Sequence, residues 1–244
     1  MPEACWPRQI DVDGVTIKIR HTPYSFATRL ILKRGEYEKH ERALLGQIMR
    51  PGMQVLELGS SIGILASVIA HRMGPSGRLV TVEASPTLTN YSKTWLGKPG
   101  HVDIVTGYAF PVWESPGGLH VDGFKEGASL GGTVTFSVDG GNGQAAPAQT
   151  GPRVYDLSTL CREFSLRPEL LVVDVEGSEA VMLRQKPNLP DWIRYVLIEL
   201  HPGLYPNKEK DQSAIVEVLR KEGMRLAQRV DTAWLFERIE APRE

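Results

Sequence analysis

The sequence predicts a doubly wound, Rossmann-like α/β fold, and three observations predict it. Residues 55–63, Val-Leu-Glu-Leu-Gly-Ser-Ser-Ile-Gly, read as a short buried strand, a small-residue turn and the start of a helix. Val80-Thr81-Val82-Glu83-Ala84-Ser85 reads as a second strand ending in a carboxylate. The apolar runs 55–58 and 170–173 are too short for helices, and they suit parallel strands covered on both faces. A strand, glycine turn, helix, strand and acid in that order form a nucleoside-binding half-domain, in which the acid suits a ribose diol.

The remaining elements follow in order. Ile10–Arg20 alternates around Asp13-Gly14, which predicts an N-terminal hairpin over 8–20. Glu36–Met49 has an apolar face of Leu44, Leu45, Ile48 and Met49, and Pro51-Gly52 stops it as a helix. Strand 54–58, helix 62–73, strand 79–83, helix 86–97 and a weaker strand at 102–106 come next. Residues 107–152 are rich in Gly, Pro and Ser, with one clear strand at Thr133–Val138 and a turn at Asp139-Gly140-Gly141. They read either as a variable excursion or as a lid or substrate wall. The α/β rhythm resumes with helix 156–164, strand 170–175, helix 177–186, strand 194–200 and helix 209–222. Strands 224–230 and 233–238 then close the sheet as an antiparallel pair.

A length of 244 residues suits one such unit. Residues 1–50 are expected to form a hairpin-and-helix extension, and 51–244 the cofactor-binding domain carrying the 107–152 excursion. The formal net charge of −1 and the lack of like-charge blocks give no footprint for nucleic acid or anionic lipid. No apolar run approaches the roughly 20 residues of a membrane span, and the first residues lack a signal-peptide core. Cys5 and Cys161 have no partners at metal-ligand spacing, so reduced thiols in a cytoplasmic protein are expected.

The choice of nucleoside rests on charge. Gly59 is followed by Ser60, Ser61, Ile62 and Gly63, so the middle glycine that admits a pyrophosphate is missing, and no Gly-Lys-Ser/Thr follows for a P-loop. Glu57 is expected to place an anion in the same crevice, repelling a diphosphate and attracting a sulfonium and an ammonium. S-adenosylmethionine has both cations, a ribose and no phosphate. The plainer alternative makes Glu57 a solvated strand-end residue and Glu83 a neighbour of a helix cap.

Over roughly residues 34–200 the sequence resembles the FkbM-type family of S-adenosylmethionine-dependent methyltransferases. The matching pieces include Gly35-Glu36-Tyr37-Glu38, Leu56–Gly63 and Val82-Glu83-Ala84-Ser85-Pro86. They continue with Asp156–Leu160, Val173-Asp174-Val175-Glu176-Gly177-Ser178-Glu179 and Ile198-Glu199-Leu200-His201. Glu57 replaces the more frequent Asp, and two serines replace Ala-Asn. The resemblance implies a seven-stranded, mostly parallel methyltransferase sheet with an antiparallel C-terminal strand, helices on both faces, and methyl transfer to a hydroxyl of a sugar, glycan or natural product.

The cofactor set expected is then Glu38, Glu57, Gly59, Ser60, Ser61 and Gly63 on the first side, with Glu83, Ala84, Ser85, Tyr108, Ala109 and Asp174 on the other. Gly59 and Gly63 would admit the methionine portion, Glu83 the ribose, and Ala84, Ser85, Tyr108 and Ala109 the adenine. Asp174, Glu176 and His201 are the catalytic candidates at the strand ends. Asp174 has three possible roles: amine binding, general base or metal ligand. Asp174, Glu176 and Glu199 offer oxygens that suit Mg²⁺, but the spacing is not diagnostic, so Mg²⁺ is possible but not favoured. Glu179 opens a helix and reads as structural. His201, with a near-neutral pKa, would accept the hydroxyl proton, unless its ring simply bonds loop backbone. Competing functions are methylation of nucleic acid and a cofactor-binding or partner-binding protein without transfer activity.

Overall fold

In a computed structural model of the chain, the residues described are 6–20, 22, 24–96, 100–114, 119–126, 132–138 and 152–239. The chain opens with the hairpin β1 (Gln9–Val12) and β2 (Val15–Lys18), turned at Asp13 and Gly14, both with positive φ. Helix α1 (Phe26–Lys33), capped by the Ser25 hydroxyl, was not apparent from the sequence pattern. Helix α2 (Lys39–Ile48) starts three residues later than the apolar pattern suggests, because Glu38 takes a left-handed conformation at φ 48° and breaks the helix there.

The first half of the α/β unit comes next, as β3 (Gln54–Leu58), α3 (Ile64–Met73), β4 (Arg78–Glu83), α4 (Pro86–Lys93) and β5 (Val102–Thr106). Short strands β6 (Tyr108–Ala109) and β9 (Val154–Tyr155) pair in parallel, so the chain leaves and re-enters at one place. Between them β7 (Leu119–Glu126) and β8 (Gly132–Val138) form an antiparallel hairpin that contains the expected strand 133–138. The expected turn at 139–141 lies outside the described residues. Then come α5 (Leu157–Glu163), β10 (Leu170–Val173), β11 (Tyr195–Glu199), α6 (Glu209–Lys221), β12 (Met224–Val230) and β13 (Ala233–Arg238). The helix expected over 177–186 is instead a 3-10 helix, Ser178–Leu183. Left-handed Glu176 and Gly177 precede it and Pro187 follows, leaving too short a run to settle into an α-helix.

Seven strands form one sheet in the order β12-β13-β11-β10-β3-β4-β5. Its β11, β10, β3, β4 and β5 are mutually parallel, and β13 runs antiparallel to both neighbours. This is the mostly parallel Rossmann-like methyltransferase sheet that the sequence implies. Alternate residues serve opposite faces. Leu56, Leu58, Val80, Val82, Leu171 and Val173 pack with Leu157, Leu160, Ile215 and Leu219 of α5 and α6. Val55, Leu79, Leu170 and Val172 pack with Leu44, Leu45, Leu65, Ile69 and Met73 of α2 and α3.

Helix α3 is apolar nearly all round, as a helix buried on both sides must be. Its second face, Ile64 and Val68, is covered by Val12, Ile17 and Ile19 of the N-terminal hairpin. Among the described residues no helix is long and apolar enough to cross a membrane. Cys161 is a free, buried thiol.

The strand ends that face the site are fixed by one backbone contact. Gly59 has φ +86°, and a Cβ placed on it would lie 1.6 Å from the Asp174 carbonyl oxygen. The Asp174 amide, in turn, donates to the Leu58 carbonyl at 2.9 Å. Gly59→Ala is therefore expected to cost about 3 kcal/mol or more, because both the φ and the contact must give. Gly35→Ala, at φ +70° with open space around it, is expected to cost about 1 kcal/mol. Urea unfolding of the two variants checks this; equal losses would remove the Asp174 contact as the reason for glycine at 59.

Candidate functional site

Beyond the carboxyl ends of β3, β4 and β10 lies a cleft, where ligands sit in open α/β sheets. Its first wall is formed by Gly59, Ser61, Val82, Glu83, Ala84, Gly107, Tyr108, Ala109 and Phe110, and its second by Tyr37, Asp174, Val175, Glu176 and Ser178. Of the expected cofactor set, Gly59, Ser61, Glu83, Ala84, Tyr108, Ala109 and Asp174 line this cleft. The charged groups in its lining are all acids.

Glu83 closes the apolar end. Its Oε2 accepts from the Ser61 amide at 2.8 Å and its Oε1 from the Ser85 amide at 2.7 Å. Ser61 presents that amide from a left-handed turn at φ 48°. Burial raises the Glu83 pKa, and these backbone bonds oppose the shift. Each oxygen keeps a second lone pair, so the carboxylate is oriented yet able to accept from a diol. Ser85, expected beside adenine, instead caps α4 with its hydroxyl and is buried away from the lining.

Several expected contacts are corrected. Glu57 does not line the cleft; it is 1% exposed, lies inside the strand end, and accepts from the Thr81 hydroxyl of the neighbouring strand at 2.6 Å. Burial pushes its carboxyl up to about 7, against the Thr81 bond and with the charge of Glu83, and its Oε1 has no hydrogen-bond partner. Neither a solvated strand end nor a cleft anion describes it. Gly63 is also absent from the lining: it begins α3 at φ +79° and makes room for Leu96 and Ser92 of the adjacent segment. Ser60 is buried, and its carbonyl accepts from the Gly63 amide at 2.7 Å. Glu38 lies behind the lining with its Oε2 buried and unpartnered.

The other end of the cleft collects acids around one cation. His201 follows β11, and its Nδ1 is 3.0 Å from Glu179 Oε1. Its Nε2 lies 3.6 Å from Asp174 Oδ1, 3.8 Å from Glu176 Oε2 and 4.0 Å from Glu199 Oε2. Burial alone would lower the imidazole pKa, but the Glu179 bond and charge, then Asp174 and Glu176, outweigh it and push it up to about 10. The expected near-neutral imidazole is thus corrected: at neutral pH the ring is an imidazolium and a poor proton acceptor. Its ring bonds a carboxylate, not loop backbone. Asp174 and Glu38 are both pushed well above the usual carboxylate range, by burial first and then by the charge of Glu199 on Asp174 and of Asp174 on Glu38.

Three further residues belong to this arrangement, Glu179, Tyr205 and Tyr37. Glu179, expected to be structural, is fully buried; it also accepts from the Tyr205 hydroxyl at 3.2 Å, and that hydroxyl accepts from the His201 amide at 2.9 Å. Tyr37 lines the cleft with its hydroxyl 3.1 Å from Ser61 Oγ. Tyr205 gave no sequence signal beyond its place four residues after His201. Asp174, Glu176 and His201 each bring one ligand-type atom within 4.8 Å of the others. With the ring protonated, this trio is an ion cluster.

The family model of protein-L-isoaspartate(D-aspartate) O-methyltransferase matches residues 39–109, less than a third of the 244-residue chain. The protein-L-isoaspartate O-methyltransferase of Methanopyrus kandleri is 38% identical over 64 residues, 25% of this chain and 28% of that one. The enzyme of the same name from Methanothermobacter thermautotrophicus is 39% identical over 67 residues, covering 27% and 31%. The chain thus matches under a third of the length of these curated relatives. Among solved structures, Aeropyrum pernix fibrillarin with natively bound S-adenosyl-L-methionine aligns over 81% of this chain and 72% of that one, at 15% identity and a TM-score of 0.46. The stretch matched by the family model runs from α2 through β6 and is the half that carries Gly59, Glu83 and Tyr108.

Glu57 makes the site's cost measurable. A carboxyl whose folded pKa is raised from 4.5 to about 7 stabilises the fold fully below 4.5, and that contribution is lost as pH rises through 7. The shift corresponds to about 3 kcal/mol. Urea unfolding of the ligand-free chain at pH 4.5 and pH 8 should show Glu57→Gln losing about 3 kcal/mol less than the parent between the two. Parallel losses would mean Glu57 is not a proton-holding interior acid.

Proposed function

We propose that the chain is an S-adenosylmethionine-dependent methyltransferase acting on a hydroxyl of an uncharged small molecule or glycan. The observation that carries this reading is the division of the cleft into two ends. One end is apolar and closed by the backbone-held Glu83; the other is lined by Asp174 and Glu176, with the buried Asp174 Oδ1 left without a hydrogen-bond partner. A phosphate-free nucleoside with a cationic tail fits both ends, and a dinucleotide fits neither.

Glu83 would accept from the ribose hydroxyls, with Ala84, Tyr108, Ala109 and Phe110 against the adenine. Asp174, which lines the cleft, would take the cationic methionine end. When bound, S-adenosylmethionine supplies a methyl group already activated on sulfur. The protein's share is positioning, which supplies up to ~7–11 kcal/mol in well-oriented reactions. Glu176 lines the cleft with a side chain 42% exposed, at the mouth where an acceptor enters. Its pKa is raised by burial, against the charge of His201, which favours it as the carboxylate that takes the hydroxyl proton. His201 keeps a positive charge between Asp174 and Glu176 and so limits their mutual repulsion.

A hydroxyl acceptor is also what the resemblance to FkbM-type enzymes implies. The second reading, methylation of an isoaspartyl carboxylate in a protein, is favoured by the family model that matches residues 39–109. That stretch ends before Asp174 and Glu176, whose charges oppose an anionic acceptor, as they would a nucleic-acid phosphate.

Thermal unfolding with S-adenosylhomocysteine tests the cofactor. At 100 times its Kd the ligand should add ~2.7 kcal/mol, a rise in Tm of ~5–11 °C at this chain length. Glu83→Gln should need at least about tenfold more ligand for the same rise, one charge-assisted bond's worth. Stabilisation by NAD alone overturns the reading. Transfer of labelled methyl from S-adenosylmethionine to arrayed glycosides and to an isoaspartyl peptide separates the two acceptors, and labelling of the peptide alone selects the second.

A further inference from the structure

We propose that Glu179, braced by Tyr205, is the positioning residue that fixes the His201 ring with Nε2 toward the Asp174 and Glu176 carboxylates. Its consequence for catalysis rests on the methyltransferase reading; the geometry does not.

Glu179 is 0% exposed, from the 3-10 helix that follows β10. An ionised carboxylate so placed costs several kcal/mol unless its oxygens are bonded. Its oxygens are met by His201 Nδ1 at 3.0 Å, the Tyr205 hydroxyl at 3.2 Å and, more weakly, the Val175 amide at 3.3 Å. Tyr205 closes the loop by accepting from the His201 backbone amide, so one hydroxyl ties both the ring's partner and the ring's own backbone. The bonds hold His201 at two points, and its remaining ring nitrogen is left facing the acids.

Those acids come from every element around the ring. Asp174 and Glu176 follow β10, Glu199 ends β11, Glu41 on α2 adds its charge from a greater distance, and Glu179 lies behind. Nε2 stands 3.6–4.0 Å from three of them, close enough to balance their charge and too far to be consumed by a hydrogen bond to any one. A ring free to rotate would pair with one carboxylate and leave the others uncompensated. Pinned by Glu179, it serves all three, and the hydroxyl proton is left to Glu176.

Nitrogen-detected NMR of the imidazole in the ligand-free full chain tests this, with the His201 signals assigned by their absence in His201→Asn. In the parent, Nδ1 should carry a proton shifted far downfield by a carboxylate partner, and the ring should stay doubly protonated at neutral pH. In Glu179→Gln the titration midpoint should fall by about one to three pH units and the downfield proton should vanish. An unchanged midpoint and Nδ1 signal in that variant overturn the proposal. If Glu179→Gln does not fold, the parent decides alone, since an Nδ1 without a proton at neutral pH also overturns it. Failure of S-adenosylhomocysteine to stabilise the parent would sink the functional reading and leave this ring geometry standing.

Discussion

The close approach of Asp174 to Gly59 is the constraint on which the site depends. The nucleoside-binding elements β3 and β4 and the acid-bearing ends of β10 and β11 belong to distant parts of the sequence. They meet where the carbonyl of one residue occupies the space another residue's Cβ would need. Parallel pairing of β3 with β10 sets the register, Leu58 opposite Val173, and the chain crosses the glycine directly afterwards. Apolar residues on both faces of these strands make that register costly to change. The carboxyl end of β3 and the start of the acid-bearing segment after β10 are therefore held in fixed relation by this close backbone contact.

The charged end works against folding. Asp174, Glu176, Glu199 and Glu179 gather round one imidazolium, and Glu38 and Glu57 stand nearby with an unpartnered oxygen each. Ser61, Glu176 and Glu38 add backbone in the left-handed region that non-glycine residues seldom adopt. Strain and unmatched negative charge of this kind persist when surrounding packing over-determines them, and the two large core clusters supply that packing. On the proposed reading, a cationic ligand in the cleft would offset this repulsion, and the relief would contribute to its binding.

Much of the fold was legible in the sequence because it is locally encoded. The runs at 55–58 and 170–173, the turn at 59–63 and the acid at 83 each signal themselves within a few residues, and each lies where its pattern predicts. Side-chain direction at the strand ends is not local. Glu57 and Glu83 look alike in sequence, each near the end of an apolar run. Yet Glu57 sits one residue inside the end of β3 and bonds Thr81, whereas Glu83 is the last residue of β4 and meets two amides beyond it. Gly59 and Gly63 likewise share a motif, but one faces the cleft beside Asp174 and the other faces Ser92 of α4 and Leu96 just beyond that helix. His201 was placed correctly at the strand end, while its protonation depended on Glu179, 22 positions away. A charge set by tertiary neighbours leaves no trace in local pattern.

The two ends of the cleft also differ in what holds them. Tyr108, Ala109 and Phe110 are tied to the returning segment by backbone bonds: Tyr108 donates to Arg153, and Phe110 to Tyr155. A Cβ on Gly107 would lie 2.5 Å from the Tyr155 ring, so the crossing point is packed as closely as a core. The described chain on either side of positions 110 and 153 thus departs from and returns to a clamped pair. No such clamp joins the apolar wall to Glu176, whose position comes from the left-handed turn at 176–177 and from the ring that Glu179 holds. On the proposed reading, nucleoside recognition is therefore built on sheet backbone, while the groups nearest an acceptor are built on side-chain charge. The match to the protein-L-isoaspartate O-methyltransferase family model ends at residue 109, where the first kind of support gives way to the second.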